Sequence, residues 1–317
     1  MPPESAVEER TGQLFGDLWN HYDDRLFEES VSLFEKRWRA NGEPPDFFQG
    51  KRCLDAGCGG GRYTIAMARM GARESIGVDV GEAGLADARQ RAERLGVPGV
   101  QFRQASVLSL PFEPESFDFV CCSGVLHHTL SVEQGLREIH RVLRPGGSMY
   151  LLLYGDGGQY WPLTLVLRPY AEMLGYAEVA RCVEEAELPA NKRRTVLDDL
   201  FVPLLETYGV ERVDALLERA GFGAWRRWTR GQLDHESDPH SIVAEIEIRE
   251  RVWRAGAQSA TDDTTARVED ALAALCASAA RTAGTLIAAH EANRLSSQAL
   301  RAALIGTGHH RIVAQRQ

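Results

Sequence analysis

The chain has no Cys-x-x-Cys pair, no apolar run of membrane-spanning length, no basic-then-apolar leader and no surplus of positive charge. Its six cysteines, Cys53, Cys58, Cys121, Cys122, Cys182 and Cys276, are scattered, and four lie in or beside apolar stretches. That usage points to buried, reduced thiols in a cytoplasmic protein. Met1-Pro2-Pro3-Glu4 does not have the order of a signal peptide, and without a long apolar stretch the chain reads as soluble. A net charge of −9 argues against a general nucleic-acid binder while leaving room for a local basic groove. The 317 residues suffice for one large core with appended helices, or for two small domains.

What is present is concentrated at residues 51–61. Cys53-Leu54 is a short apolar run ending in an acid, Asp55; four glycines then occupy five positions, Gly57, Gly59, Gly60 and Gly61, interrupted by Cys58. An amphipathic helix opens at Arg62. The pattern is strand, tight turn, helix, with glycine where the backbone turns sharply and must approach a ligand closely. A second acid, Asp79, closes the apolar run Ser75–Val78 and suits the two hydroxyls of a ribose. The dinucleotide fingerprint needs a further glycine where Arg62 stands. Asp55 beside the loop would repel a pyrophosphate but attract an ammonium group. S-adenosylmethionine carries that ammonium, a sulfonium, and a carboxylate that the loop amides or Arg62 can receive. The residues therefore favour the sulfonium cofactor over NAD.

Further blocks follow in order: Leu110-Pro111-Phe112, Ser116-Phe117-Asp118, Val125-Leu126-His127-His128 and Leu143-Arg144-Pro145-Gly146-Gly147. Together with the glycine loop and Gly77-Val78-Asp79 they resemble the class I (Rossmann-like) S-adenosylmethionine-dependent methyltransferases, especially the UbiE-like group acting on small molecules. The resemblance covers residues 50–154 well and 210–250 loosely. It implies a doubly wound, mostly parallel seven-stranded α/β sheet with helices on both faces, a helical lid insertion, and helical extensions at both ends. It also implies cofactor contacts from Asp55, Gly57, Gly59, Gly61, Arg62, Asp79 and Ser123. Most relatives have Asp where Ser106 stands, accepting from the adenine amino group. Ser106 offers only an uncharged acceptor, so neighbouring backbone at Val107 is expected to share that contact. N-terminal helices in the family close over the cofactor, which makes Trp19 and Tyr22 candidates for its edge.

Residues 1–45 read as a helical cap followed by a linker at Asn41–Pro45, and 46–154 as the cofactor-binding core. Helices are expected at about 61–70 and 82–95, and strands at 100–104, 117–122 and 148–154. Ser131-x-x-Gln134 has capping-box form at the start of another helix. Residues 155–209, helical and broken by prolines, read as a substrate lid. Val210–Phe222 resembles the last sheet-covering helix, and Ala224–Thr229 with Ser241–Ile248 a closing hairpin. The run Asp234–His240 reads as a polar turn in preference to a metal site, and no metal is expected. Residues 251–317 read as a helical extension able to pair two copies of the chain, with His309-His310 in a loose tail.

The expected chemistry is an in-line displacement in which alignment contributes up to about 7–11 kcal/mol. His127 and His128 sit at a strand end where ligands bind and are the candidate bases, each with the alternative of merely ordering its loop. The expected acceptor is an O or N atom of a small molecule, such as a specialised metabolite. Methylation of RNA or a peptide, an NAD-dependent oxidoreductase, and a non-catalytic cofactor binder stay open as alternatives. The Asn/Asp-Pro-Pro-aromatic signature of nucleic-acid amino-methylation is absent.

Overall fold

A computed structural model describes residues 4–19, 24–230 and 238–317, apart from the side chains of 4–6 and 17–19. Seven strands form one sheet in the order β3-β2-β1-β4-β5-β7-β6. β1 (Arg52–Ala56), β2 (Glu74–Asp79), β3 (Val100–Gln104), β4 (Phe117–Ser123) and β5 (Leu143–Leu153) are parallel. β7 (His310–Arg316) runs antiparallel between β5 and β6 (Phe222–Arg227). The expected mostly parallel seven-stranded sheet is present. β1 and β4 are almost wholly buried, which is why they read as short unbroken apolar runs.

Each face of this sheet has its own core. On one, Leu136 and Ile139 of α5 (Val132–Val142) and Val213, Leu216 and Leu217 of α9 (Val210–Arg219) pack over Leu54, Val120 and Leu151. On the other, Phe27, Phe34 and Trp38 of α2 (Asp24–Ala40) and Ile65 and Met67 of α3 (Arg62–Arg69) pack over Cys53, Phe119 and Tyr150. Strand order reverses between β1 and β4, so the loops after those two strands meet at the carboxyl edge, the usual position of a ligand crevice. α1 (Glu4–Trp19) and α4 (Glu82–Arg94) complete the layers. All six cysteines are buried and free, as expected from their spacing.

Three expectations need correction. Ser241–Ile248 is not a strand; it lies within α10 (Pro239–Ser259), where Ile242, Glu245, Ile246, Arg249, Val252, Trp253 and Gly256 are buried at helical spacing. The seventh strand comes instead from the C-terminus. His309-His310 is therefore no loose tail: His310 opens β7 and bonds through Nε2 to the Tyr208 carbonyl at 2.6 Å. Nor is Asn41–Pro45 a slack linker. Asn41 Oδ1 accepts from the Thr229 and Arg230 amides at 3.1 Å each, and Glu43 is buried against Trp228 Nε1 at 2.7 Å.

The chain forms two compact units, one of 1–154, 203–231 and 309–317 and the other of 155–202 and 232–308. The second is helical, made of α6 (Tyr160–Leu174), α7 (Tyr176–Glu185), α8 (Ala190–Phe201), α10, α11 (Asp263–Glu291) and α12 (Ser297–Leu304). Thus the helices before residue 202 and those after 239 belong to one unit, where the sequence reads as two separate segments. Arg249, 1% exposed, is its polar centre, pairing with Asp199 and donating to the Tyr160 hydroxyl at 2.6 Å. Contrary to the expectation that no stretch reaches that size, α11 is by length and composition long and apolar enough to cross a membrane. Its many alanines supply that hydropathy, and Leu272, Ala273, Cys276 and Ala280 of α11 are buried within the fold.

Candidate active site

The site begins in the loop between β1 and α3. Gly57, Gly59 and Gly61 all have positive φ, at 82°, 50° and 80°, which only glycine adopts without strain. The Gly57 and Cys58 amides both donate to the Val78 carbonyl, at 2.8 and 2.9 Å, tying the loop to the end of β2. A Cβ on Gly57 would fall 2.4 Å from Val125 Cγ2, so the β1 loop and the β4 loop touch without room for a side chain.

Two carboxylates bracket this turn. Asp55, 1% exposed, accepts from Thr64 Oγ1 at 2.7 Å; burial pushes its pKa up to about 7, against the pull of Thr64 and Arg62. Asp79 accepts from the Gly59 amide at 2.8 Å through one oxygen and from the Gly81 amide at 2.9 Å through the other. Burial raises its pKa too, while these amide bonds oppose the rise. Each carboxylate oxygen keeps a lone pair for a further donor.

The β4 loop brings the histidines. Leu126–His128 is one turn of 3-10 helix, and both imidazoles are buried. His128 Nδ1 donates to the Leu204 carbonyl at 2.8 Å, so this ring fastens the returning segment. The two nitrogens of His127 have no hydrogen-bond partner among the described residues. Its ring lies 3.8 Å from that of Tyr154 and 4.1 Å from that of His128. Burial, with His128 and His309 nearby, holds its pKa well below the usual imidazole range, so His127 is neutral at physiological pH.

Comparison with known proteins decides the family. A family profile described as a methyltransferase domain matches residues 54–151. The ubiquinone biosynthesis O-methyltransferase of Paracidovorax citrulli is 35% identical over 167 residues, which span 51% of this chain and 68% of that protein. The chain belongs to the class I S-adenosylmethionine-dependent methyltransferases. The Pseudomonas aeruginosa protein of the same name is 33% identical over 47% of this chain and 65% of its own length. The chain therefore spans about two thirds of the curated relatives it matches. Among solved structures, the cyclase SpnF superposes with a TM-score of 0.50 at 19% identity, covering 90% of this chain and 80% of that one. A Haemonchus contortus N-methyltransferase solved with phosphomonomethylethanolamine and S-adenosylhomocysteine also gives 0.50, at 17% identity over 96% of this chain and 57% of that one. At those identities the two structures establish the fold alone.

The cofactor of this methyltransferase is S-adenosylmethionine, and the residues present fit it. A buried acid at the end of β1 suits an ammonium group. The side-chain-free turn accommodates close approach, and Asp79 retains acceptor capacity for a diol. The NAD alternative fails at the same place, since Asp55 borders the loop where a pyrophosphate would rest and Arg62 stands where the fingerprint needs a further glycine.

The remaining expected contacts divide. Arg62 opens α3 with its guanidinium 4.7 Å over the Tyr63 ring. Ser123 ends β4 and hydrogen-bonds the Tyr63 phenol. The Val107 side chain is in the core, leaving only its backbone to face a ligand. Ser106 Oγ accepts from the Leu108 amide at 3.1 Å and donates to Glu8. Trp19 ends α1, but its side chain lies outside the described residues, as does Tyr22 altogether. The run 234–237 also lies outside them, while Asp238 caps α10 by accepting from the His240 amide at 3.1 Å.

The sequence reading missed Thr64, Tyr154, His309 and Glu8. Thr64 is fully buried and faces β1 from the first turn of α3, a position its spacing from Gly61 could have given. His309 stacks on Tyr154 at 4.6 Å, a pairing no local signal encodes.

Proposed function

We propose that this methyltransferase transfers a methyl group to a hydroxyl oxygen of a small molecule, with His127 receiving the hydroxyl proton. The observation that carries the reading is a buried imidazole, neutral at physiological pH, with no hydrogen-bond partner for either nitrogen among the described residues and its loop pressed against the glycine turn. A hydroxyl of phenolic type holds its proton to about pH 10 and so benefits from a base, whereas a neutral amine attacks without one. The O-methyltransferase names of the curated relatives support the same preference.

S-adenosylmethionine, when bound, supplies a methyl group on a sulfonium, already activated for displacement. Asp55, the glycine turn and Asp79 hold the donor, and the β4 loop orients the acceptor. His127 removes its proton while His128 keeps the loop in place.

The test is S-adenosylhomocysteine release with parallel panels of hydroxylated aromatic acceptors and amines. Turnover of amines alone refutes oxygen transfer. With a working hydroxyl acceptor, His127→Gln should lower kcat about 10²- to 10⁴-fold with cofactor affinity unchanged. His128→Gln should leave kcat within a few-fold of wild type.

A further inference from the structure

The β3 loop has Ser106 where an acid is expected, and the Ser106 hydroxyl meets a carboxylate from a residue 98 positions away. Sheet order places the ends of β1, β2 and β3 side by side. With the amino-acid end of the cofactor at Asp55 and the ribose at Asp79, the base must fall beyond β2, at the end of β3, where Ser106 stands. The Ser106 hydroxyl is already engaged there: it accepts from the Leu108 amide and donates its proton to the Glu8 carboxylate of α1.

α1 is held at this place by glycines. A Cβ on Gly12 would lie 3.0 Å from Gly81 Cα, and one on Gly81 would lie 2.8 Å from the Gly12 carbonyl. Gly81 is the residue whose amide binds Asp79. The helix thus packs directly on the ribose-binding turn, and Glu8 reaches the end of β3.

We infer that Glu8 recognises the exocyclic amino group of adenine, so that α1 forms part of the cofactor site and Ser106 orients that carboxylate without itself being the base receptor. A carboxylate spends one lone pair on Ser106 and has others for an N–H donor. Specificity follows as well as affinity: a base bearing a carbonyl in place of the amino group meets a repelling carboxylate.

This inference rests on the cofactor reading, and calorimetry separates the two. The probes are S-adenosylhomocysteine and its inosine counterpart, in which the amino group is replaced by oxygen. Wild type should bind the adenosyl compound at least tenfold more tightly, the scale of a lost hydrogen bond to a charged group. If it binds neither, the cofactor reading itself fails and the Glu8 assignment with it. Glu8→Gln should lose tenfold or more toward the adenosyl compound and little toward the inosyl one, narrowing or reversing the preference. Glu8→Ala with Ser106→Asp should restore the preference, because the carboxylate returns on the β3 loop. Wild-type preference in Glu8→Gln, an equal loss for both ligands, or failure of Ser106→Asp to restore it overturns the assignment. If Glu8→Ala does not fold alone, Glu8→Gln, which keeps shape and hydrogen bonding toward Ser106, carries the same readout.

Discussion

Asp55 shows how burial and ligand charge pull one group in opposite directions. Its pKa of about 7 means that between about pH 4 and 7 the folded chain binds a proton the unfolded chain releases. Its ionisation therefore destabilises: roughly 4 kcal/mol of stability present below about pH 4 is lost as the pH rises to about 7, and the loss is complete above that. Asp55→Asn should flatten this part of the stability–pH curve, followed by thermal melts across that range. An ammonium group reverses the preference, so cofactor binding at pH 6 should release close to one proton and tighten as the pH rises to 7. Calorimetry in buffers of different ionisation enthalpy reads that proton, and Asp55→Asn should abolish it. Gly57 is limited twice, by a φ of 82° and by Val125, 2.4 Å from any Cβ. Gly57→Ala should cost about 2–5 kcal/mol from backbone strain and overpacking together. Adding Val125→Ala removes only the packing share, and full recovery in a melt would show that strain is absent. These residues were legible because their constraints are local: an acid at a strand end, glycines at a forced turn. Glu8, Tyr154 and His309 were not, because each acts through a partner brought near only by the folded sheet.

The misreading of Ser241–Ile248 as a strand has a local cause. Ser241–Ile248 carries Ile242, Val243, Ile246 and Ile248, and β-branched residues favour a pleated surface. Asp238 and Pro239 just before it are a helix start, an N-cap followed by proline at the first turn, and the burial period of 3.6 continues to Gly256. The start signal and the longer period prevailed over local propensity. Gly256 itself is no helix former, yet a Cβ there would lie 2.4 Å from Cys182 Sγ and 3.0 Å from Glu269 Cδ. That sulfur cannot give way, since its thiol donates to Glu269 at 2.9 Å and Glu269 is fully buried. Two effects therefore compete in Gly256→Ala: about 1 kcal/mol gained in helix propensity and about 1–3 kcal/mol lost to overpacking. Overpacking should win and lower the melting temperature, whereas the double variant with Cys182→Ala should exceed the single variant. A single variant more stable than wild type would show that α10 and α7 have slack between them.

The seventh strand was misplaced for a reason that concerns the whole chain. In the resembled family β6 and β7 close as a hairpin, but here roughly eighty residues separate them. Loop closure penalises this only weakly. Each doubling of loop length costs about 0.6 kcal/mol, so lengthening a ten-residue connection eightfold costs about 2 kcal/mol. Burial of Ile312 alone, which is fully enclosed, contributes about 1.5–3 kcal/mol and offsets it. A helical unit can thus interrupt the hairpin without changing the sheet, and the sheet is incomplete until β7 joins it. β7 pairs with β5 from Ser148 to Leu153 and with β6 from Phe222 to Arg227. Without it β6 has no paired strand among the described residues, and the β5 edge is left with unpaired amides and carbonyls. Deleting residues 309–317 should therefore abolish cooperative unfolding and cofactor binding together, although no residue of the glycine loop is touched. Ile312→Ala should do so partially, by about 2–5 kcal/mol. A truncated chain that still melts cooperatively and still binds S-adenosylhomocysteine would show that five parallel strands alone support the site.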